Sequence, residues 1–497
     1  MARFVSSRGI ALLGCAGGVA CSLDARAPTS AEAPATPEPE ELEPADEEQA
    51  DAAAPATPAP PPPAAATEVD DVSDGAAPGA ILPADVLLTI EAAGSGRFGR
   101  VVSNEPSTVA CDTPPCTFSL PRGTSLVLQA QTANVGSGFA GWVHDRCMGQ
   151  ADCPLTLSED EVIAASYEPA NLVFITSTDV TGDFGGPAQA DAICNARAAE
   201  RGLEGPFRAW VSSTASNALD ALQGSRGWVR VDNFPVVDSV DELLESKMFY
   251  PIQIDETGTG HGNRMVWTAT NGNAGQLAAL HCNDWSSASA EVRGAVGRTN
   301  LVGRNFTFKG FSNCDALGGI YCFGTGKNVS IAPIPSAGRV AFITDQLFTV
   351  GGGIAGADAF CQSTAEAGAL TGRYKALLAT STESAAARFD LADTRRIVRV
   401  DGTLVTLTAR LFFEGPNWIT GINVAPSGAY ITNYPIWSGA SSLLVAGVSG
   451  ETCNDWTAID AQGRAGFSTF TTTAEFFQDV GSLSPCNTPM FISCLEE

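Results

Sequence analysis

Side chains that could carry out catalysis are few in this 497-residue chain and form no recognisable catalytic set. It has only three histidines, His144, His261 and His281. No GxSxG nucleophile motif, HExxH zinc motif or phosphate-binding P-loop occurs in the sequence. A carboxylate pair such as Asp232 with Asp255 could act as acid and base, but a solvated loop is the favoured interpretation for both. The sequence therefore predicts a protein that is not an enzyme and has no cofactor and no metal ion.

A second candidate is the tetrapeptide CNDW, which occurs at residues 282–285 and again at residues 453–456. Its cysteine could be a nucleophile or one half of a disulfide, and its Asn and Asp offer two oxygen ligands to a cation. Calcium prefers six to eight oxygen ligands, so two adjacent side chains are too few on their own. The repetition itself indicates a domain that is used twice.

Net charge excludes several classes of partner. The formal net charge is −27 at pH 7. Residues 1–80 hold 14 acidic residues against three arginines, a net of −11, which leaves −16 for the rest of the chain. Both parts repel nucleic acid and anionic lipid. The sequence therefore predicts no nucleic-acid partner.

The cysteines and the N-terminus indicate export. Fourteen cysteines without a CxxC pair favour disulfides formed in an oxidising compartment. Residues 1–20 resemble a bacterial signal peptide, with two arginines before a short apolar run. Cys21 is the favoured lipidation site and Cys15 the alternative, while a plain secretory signal is a third interpretation. We expect an outer-membrane-anchored, surface-exposed protein of a bacterial cell envelope, or a secreted one.

Two regions precede the CNDW copies. Residues 21–80 are acidic and rich in Pro and Ala with almost no large apolar side chain, which predicts a disordered, extended tether. Residues 81–170 alternate β-branched and polar residues between Gly and Pro turns, which predicts a small β domain. Its stretches PRGTSLVLQA, FAGW and VIAASY resemble the internalin B-repeat-like β domains of bacterial surface proteins. That family serves mainly as a spacer and interaction module.

The rest of the chain consists of two copies of one segment. WVRVD is matched by IVRVD, VWTAT by IWSGA, and CNDW by CNDW, all in the same order. The offset between copies changes only from 167 residues at Cys194 and Cys361 to 172 residues at Cys322 and Cys494. So long a period predicts tandem globular domains. We expect them at residues 171–326 and 339–497, with a linker at residues 327–338.

Each copy begins with an apolar strand, a Gly loop and a helix, AQADAICNARAAERGL or AGADAFCQSTAEAGAL, with its cysteine on the apolar face. These helices, VWTAT, CNDW and the ending CDALGGIYCF resemble the endostatin-like branch of the C-type lectin-like fold, which is found in bacterial surface lipoproteins. The resemblance implies an α+β fold class. Two tandem C-type lectin-like (endostatin-like) domains would follow the small all-β domain and the disordered acidic tether.

The resemblance also implies nested disulfides. The pairs would be Cys194 with Cys322, Cys282 with Cys314, Cys361 with Cys494 and Cys453 with Cys486. In the β domain, two close pairs, Cys111 with Cys116 and Cys147 with Cys153, would each close a short loop. Calcium-dependent sugar binding is a less favoured alternative, because the stretches before Cys314 and Cys486 lack the acidic pattern of sugar-binding lectins.

These features predict a non-enzymatic binding or adhesion protein for an extracellular protein or glycan, with membrane contact only through the lipid anchor. A structural envelope component without a diffusible ligand is the alternative. Loops around the inner disulfides, at residues 286–313 and 457–485, are the expected recognition regions. The first loop carries Arg293, Arg298, Arg304 and Lys309, which predict a preference for anionic partners, whereas the second is more apolar.

Overall fold

The computed structural model describes residues 85–497 except for 104–108, 133–135, 272–276, 433 and 479–482. The expected signal peptide, Cys15, Cys21 and the acidic tether lie outside the described residues. The chain divides into two units, residues 1–78 and 79–497, and all that follows concerns the second. Its described residues form a mixed α+β structure in which sheets dominate and helices are few, in agreement with the predicted class.

Residues 85–169, which we call the β module, form two four-stranded sheets around one apolar core. In the first strand Val86, Leu88 and Ile90 are buried and alternate with more exposed side chains, the period-two pattern of a half-buried strand. One sheet has the order β4-β1-β8-β6 and the other β3-β2-β5-β7. The strands are β1 (Asp85–Ala93), β2 (Arg100–Ser103), β3 (Val109–Cys111), β4 (Cys116–Pro121), β5 (Ser125–Gln131), β6 (Ser137–Val143), β7 (Cys153–Thr156) and β8 (Glu161–Pro169).

Residues 171–326, which we call repeat 1, combine a five-stranded sheet of order β10-β16-β9-β11-β12 with a three-stranded sheet of order β13-β14-β15. The long helix starts at a proline and is followed by Gly202, whose φ of 66° is the left-handed conformation common after helix ends. The elements are β9 (Asn171–Ile175), α1 (Pro187–Glu200), β10 (Phe207–Ala209), β11 (Trp228–Arg230), β12 (Pro235–Val237), α2 (Val240–Leu244), β13 (Met265–Trp267), α3 (Cys282–Trp285), β14 (Arg293–Arg298), β15 (Gly310–Asn313) and β16 (Tyr321–Gly324), with 3-10 helices at Ala218–Leu222 and Gly303–Phe306.

Residues 339–497, which we call repeat 2, have the same order of strands, β18-β24-β17-β19-β20 and β21-β22-β23. The sequence repeat is thus also a structural repeat. The elements are β17 (Arg339–Ile343), α4 (Gly353–Ala367), β18 (Tyr374–Ala376), β19 (Ile397–Val398), β20 (Leu404–Thr406), α5 (Ala409–Glu414), β21 (Pro435–Trp437), α6 (Cys453–Trp456), β22 (Gln462–Phe467), α7 (Thr473–Phe477), β23 (Leu483–Pro485) and β24 (Ser493–Glu496), with a 3-10 helix at Ala386–Arg388.

Six disulfides join the twelve described cysteines, which confirms the predicted use of cysteine as a cross-link. The outer bridge of each repeat ties its long helix to its last strand, across 128 residues in repeat 1 and 133 residues in repeat 2. The pairs are Cys111 with Cys116, Cys147 with Cys153, Cys194 with Cys322, Cys282 with Cys314, Cys361 with Cys494 and Cys453 with Cys486. So many disulfides suggest an extracellular or secreted protein. In the described part of the chain, no helix is both long enough and apolar enough to span a bilayer.

The β module packs directly on repeat 1. Phe139 and Ser330 exchange two backbone hydrogen bonds of 2.9 Å, so the segment after repeat 1 adds to the edge of the β module. Arg226 of repeat 1 donates to the Gln150 side chain at 2.5 Å and forms a salt bridge with Asp238. The β module and repeat 1 are therefore held together by backbone pairing as well as by side chains.

Candidate functional site

The two CNDW segments are left-handed helical turns. All four residues have positive φ, from 51° to 65° in Cys282–Trp285 and from 51° to 69° in Cys453–Trp456. In repeat 1, the Trp285 N–H donates to the His281 carbonyl at 3.1 Å, as in one turn of a helix. The left-handed conformation costs L-residues about 1–2 kcal/mol each. Its recurrence in both repeats shows that surrounding contacts impose it.

Those contacts come from residues 212–214, which follow β10 in repeat 1, and from residues 379–381, which follow β18 in repeat 2. The Asp284 carboxylate accepts hydrogen bonds from the N–H and hydroxyl of Thr214, at 2.8 and 2.5 Å. In repeat 2 Asp455 accepts the same pair from Ser381, at 2.6 and 2.7 Å. Trp285 is fully buried, and its ring nitrogen donates to the Ser212 carbonyl at 2.8 Å. Each CNDW turn thus fastens two distant segments together.

Hydrogen bonding also fixes the charge state of these aspartates. The bonds from Thr214 hold the pKa of Asp284 below its usual value. Burial alone would raise the pKa of Asp455, but the bonds from Ser381 outweigh it and the pKa is lowered. Both carboxylates are therefore ionised and already bonded within the protein. Among the described residues, no group of three or more His, Cys, Asp or Glu side chains is placed to hold a metal ion.

The two carboxylates considered as an acid–base pair have separate partners. Asp232 forms a salt bridge with Arg230 at 2.8 Å. The interpretation of a solvated position is wrong for Asp255, which is buried. It accepts from the ring Nε2 of His261 at 2.8 Å and from Thr257 at 2.7 Å. Burial raises the pKa of Asp255, yet these hydrogen bonds outweigh that effect and the pKa is lowered. The partners of Asp232 and of Asp255 each stabilise the ionised form of the carboxylate they contact.

The segments expected to be recognition loops, 286–313 and 457–485, contact each other. Leu301 and Phe470 form an antiparallel bridge, flanked by hydrogen bonds from the Val302 N–H to the Thr469 carbonyl at 3.2 Å and from the Thr471 N–H to the Asn300 carbonyl at 3.0 Å. Leu301 and Phe470 are equivalent, since each lies four residues after the glycine at the same position of β14 or β22. The contact is therefore nearly two-fold symmetric.

The four cations of the first segment are differently placed. Arg293 is exposed and its guanidinium carbon lies 5.4 Å from the centre of the Phe311 ring. Lys309 is exposed, but its Nζ lies 4.8 Å from the Phe470 ring of repeat 2. Arg298 and Arg304 are partly buried. Binding of an anionic ligand by these residues stays a prediction, and Lys309 also has a role in the contact between the repeats.

An exposed apolar loop at residues 443–450 was not expected from the sequence. Leu444, Val445 and Val448 are 48%, 43% and 61% exposed. The loop is anchored by the buried Leu443 and by the Gly447 N–H, which donates to the Thr380 carbonyl at 2.7 Å. The run LLVAGV was the available signal, but an apolar run ordinarily indicates a buried segment. This apolar loop lies immediately before the CNDW turn of repeat 2.

A cleft of about 550 Å³ lies between the β module and repeat 1. Five glycines line it together with Asn171, Leu172, Glu204 and Lys327. Asn171 is buried, and its side chain accepts from the Lys327 N–H at 3.0 Å and donates to the Lys327 carbonyl at 2.8 Å. The position of Lys327 at the cleft is therefore fixed through its backbone.

No protein-family model matches this sequence, and no curated protein shows significant similarity to it. The functional conclusion therefore rests on the geometry of the chain itself.

Proposed function

We propose that this protein is a non-enzymatic binding or adhesion protein of the bacterial cell surface. In this proposal the N-terminal lipid anchor and acidic tether display a body made of the internalin B-repeat-like β module and two C-type lectin-like repeats. The ligand is an extracellular protein. The observation that carries this proposal is the exposed apolar loop at residues 443–450.

Three aliphatic side chains at one loop are costly to expose unless a partner covers them. Full burial of one such side chain is worth about 1.5–3 kcal/mol, so half-exposed Leu444, Val445 and Val448 offer a substantial gain on binding. The loop is held by the buried Leu443 and by the hydrogen bond of Gly447, and it lies in a repeat that is cross-linked by the Cys453–Cys486 disulfide. A rigid frame with an exposed apolar loop is typical of protein-recognition surfaces.

The differences between the repeats support the same proposal. The segment of repeat 1 that precedes its CNDW turn reads TNGNAGQLAALH, whereas that of repeat 2 reads SSLLVAGVSGET. The strands, helices and disulfides around these segments are shared. Equal frames with unequal loops favour a binding role, because a purely structural role gives no reason for one loop to become apolar and exposed.

The test compares a loop variant with a matched surface variant in the full chain. Leu444→Ser with Val448→Ser removes two exposed aliphatic side chains from the loop. Leu347→Ser is the control, since Leu347 is a loop leucine of repeat 2 with 50% exposure. Each protein is titrated against immobilised extracellular-matrix and envelope proteins and against a glycan array. We expect protein binding to weaken about 10-fold in the loop variant, corresponding to about 1.4 kcal/mol, and to persist in the control.

Equal affinities of the loop variant and the wild-type chain would contradict this proposal. Binding to the glycan array alone would assign a different ligand class. Absence of binding to the panel, together with stoichiometric co-extraction with an envelope protein that survives the loop substitutions, would support the structural alternative instead.

A further inference from the structure

The cleft between the β module and repeat 1 is specific to that repeat, as a comparison with repeat 2 shows. Gly324 pairs with Phe207 in repeat 1, and Glu496 pairs with Tyr374 in repeat 2, so Gly324 and Glu496 are equivalent. Leu172 and Val340 are equivalent in the same way, because each follows the first residue of the central strand. Repeat 2 therefore has a glutamate side chain where repeat 1 has none.

In repeat 2 that side chain occupies the equivalent space. The Val340 N–H donates to the Glu496 carboxylate at 3.0 Å. Arg339, the counterpart of Asn171, is buried beside it and donates through Nε to the Glu496 backbone carbonyl at 2.8 Å. At this end of the repeat 2 sheet, the Glu496 carboxylate and the Arg339 guanidinium therefore occupy the position that corresponds to the cleft of repeat 1.

In repeat 1 the equivalent residue, Leu172, lines the cleft. A Cβ atom placed on Gly324 would lie 3.0 Å from the Leu172 carbonyl oxygen and 3.2 Å from the Leu172 nitrogen, so a side chain at residue 324 would start beside the backbone of Leu172. Glycine supplies no carboxylate there, and Leu172 lines the cleft instead. The cleft is therefore lined by the counterpart of Val340, whose N–H binds a carboxylate in repeat 2, and the chain supplies no carboxylate at residue 324.

The charged groups of the cleft complete a recognition site. Lys327 and Glu204 both line it, and neither forms a salt bridge with another described residue. An ammonium group attracts a carboxylate, whereas the Glu204 carboxylate accepts hydrogen bonds from hydroxyl groups and repels a second acid. The glycine lining lets a ligand approach the backbone closely, at Gly136, Gly202, Gly205, Gly324 and Gly326.

We propose that this cleft binds an acidic saccharide, whose carboxylate takes the position in repeat 1 that the Glu496 side chain takes in repeat 2. The carboxylate accepts from the Leu172 N–H and pairs with Lys327, while sugar hydroxyl groups donate to Glu204. The volume of about 550 Å³ lies within the range of small-molecule sites. This site is separate from the apolar loop of repeat 2, so either proposal can fail without the other.

The test titrates the full chain by calorimetry with digalacturonic acid and with its methyl ester, which keeps the hydroxyl groups and removes the charge. We expect the acid to bind and the ester to bind at least 10-fold more weakly. Lys327→Gln should weaken binding of the acid 5- to 10-fold and reduce its salt dependence. Gly324→Glu should abolish binding, because it supplies from within the chain the carboxylate that repeat 2 already has.

Gly262→Glu is the matched control, since a Cβ at Gly262 meets no atom within 4 Å, and it should leave binding unchanged. Should Gly324→Glu fail to fold, Lys327→Gln with the acid and ester pair still decides the question. Equal binding of acid and ester, no binding of either at millimolar concentration, or full binding by Lys327→Gln would overturn the proposal. Tighter binding of a poly-glutamate peptide than of the saccharide would overturn the ligand class.

Discussion

Repeat 1 and repeat 2 share the same order of strands, but an equivalent buried arginine has different hydrogen-bond partners in the two repeats. In repeat 2, Arg399 is fully buried and bonds to Asp401, to Asn423 and to the Met248 carbonyl of repeat 1. In repeat 1 the equivalent Arg230 bonds to Asp232 and to a carbonyl of its own repeat. The disulfides and the left-handed turns are the same in both. The comparison shows that the shared disulfides and turns accompany the shared fold, whereas a buried arginine at one position can bond within its own repeat or across to the other repeat.

The largest expected effect tests whether the two frames are equally dependent on their outer disulfides. Replacing Cys194 and Cys322 by serine, or Cys361 and Cys494 by serine, opens loops of 128 and 133 residues. In the chain-entropy description each bridge stabilises by about 5 kcal/mol, against about 2 kcal/mol for the five-residue loop of Cys111 with Cys116. Urea unfolding followed by tryptophan fluorescence should show similar large losses of unfolding free energy for the two outer-bridge variants. Serine replacement of Cys111 and Cys116 should give a small loss. A large difference between the two repeats would show that their frames are not equivalent.

The second effect tests whether the core of repeat 2 depends on a residue of repeat 1. Leu301 belongs to repeat 1 but is fully buried in an apolar cluster made otherwise of repeat 2 residues. Leu301→Ala should cost about 3 kcal/mol, because it leaves a cavity that spans both repeats. Hydrogen exchange should then accelerate in β22 and α7 of repeat 2. Leu222→Ala, in the core of repeat 1 alone, is the matched control and should accelerate this exchange less. Unchanged exchange in Leu301→Ala, or equal acceleration in both variants, would contradict the prediction.

The smallest effect compares the two left-handed turns. Asp455→Asn and Asp284→Asn each replace an ionised acceptor, and we expect losses of about 1–3 kcal/mol at pH 7. The loss should be smaller for Asp284, whose side chain is 38% exposed and therefore screened by water.

The pH dependence of that loss has a definite sign. Both aspartates have a lowered pKa in the folded protein, so their ionised forms stabilise the fold above the usual Asp pKa of about 3.9. That contribution is lost as the pH falls through the folded pKa. The difference in unfolding free energy between wild type and each variant should be constant from pH 7 to pH 5 and shrink below about pH 4. A difference that grows on acidification would contradict this assignment.

The parts of the fold that the sequence predicts well are those with a repeating signal. The apolar positions around Cys194 and Cys361 have helical spacing, and both cysteines are buried on α1 and α4. The paired order of motifs in the two copies is matched by the paired order of strands. The six cysteine pairs agree with those inferred from the resemblance and from the close spacing in the β module.

Other features have no local signal. Four consecutive non-glycine residues in the left-handed region oppose their own backbone preferences, and only hydrogen bonds from residues 212–214 and 379–381 make the turn favourable. Leu301 and Phe470 have the sequence character of ordinary apolar residues, so their mutual contact could not be anticipated. The cleft depends on the absence of a side chain at Gly324. That absence becomes informative only when Gly324 is compared with Glu496, the equivalent residue of repeat 2.

The bridge between Leu301 and Phe470 has a consequence for how such a chain could arise. A contact in which equivalent residues meet, with reciprocal hydrogen bonds, has the geometry of an isologous homodimer. Here both partners belong to one polypeptide, joined by residues 327–338. A pair of separate molecules would dissociate on dilution, whereas covalent joining holds the partners at a high effective concentration whatever their abundance. Duplication within one gene also frees each partner to change alone, so one can keep an open cleft while the other closes it.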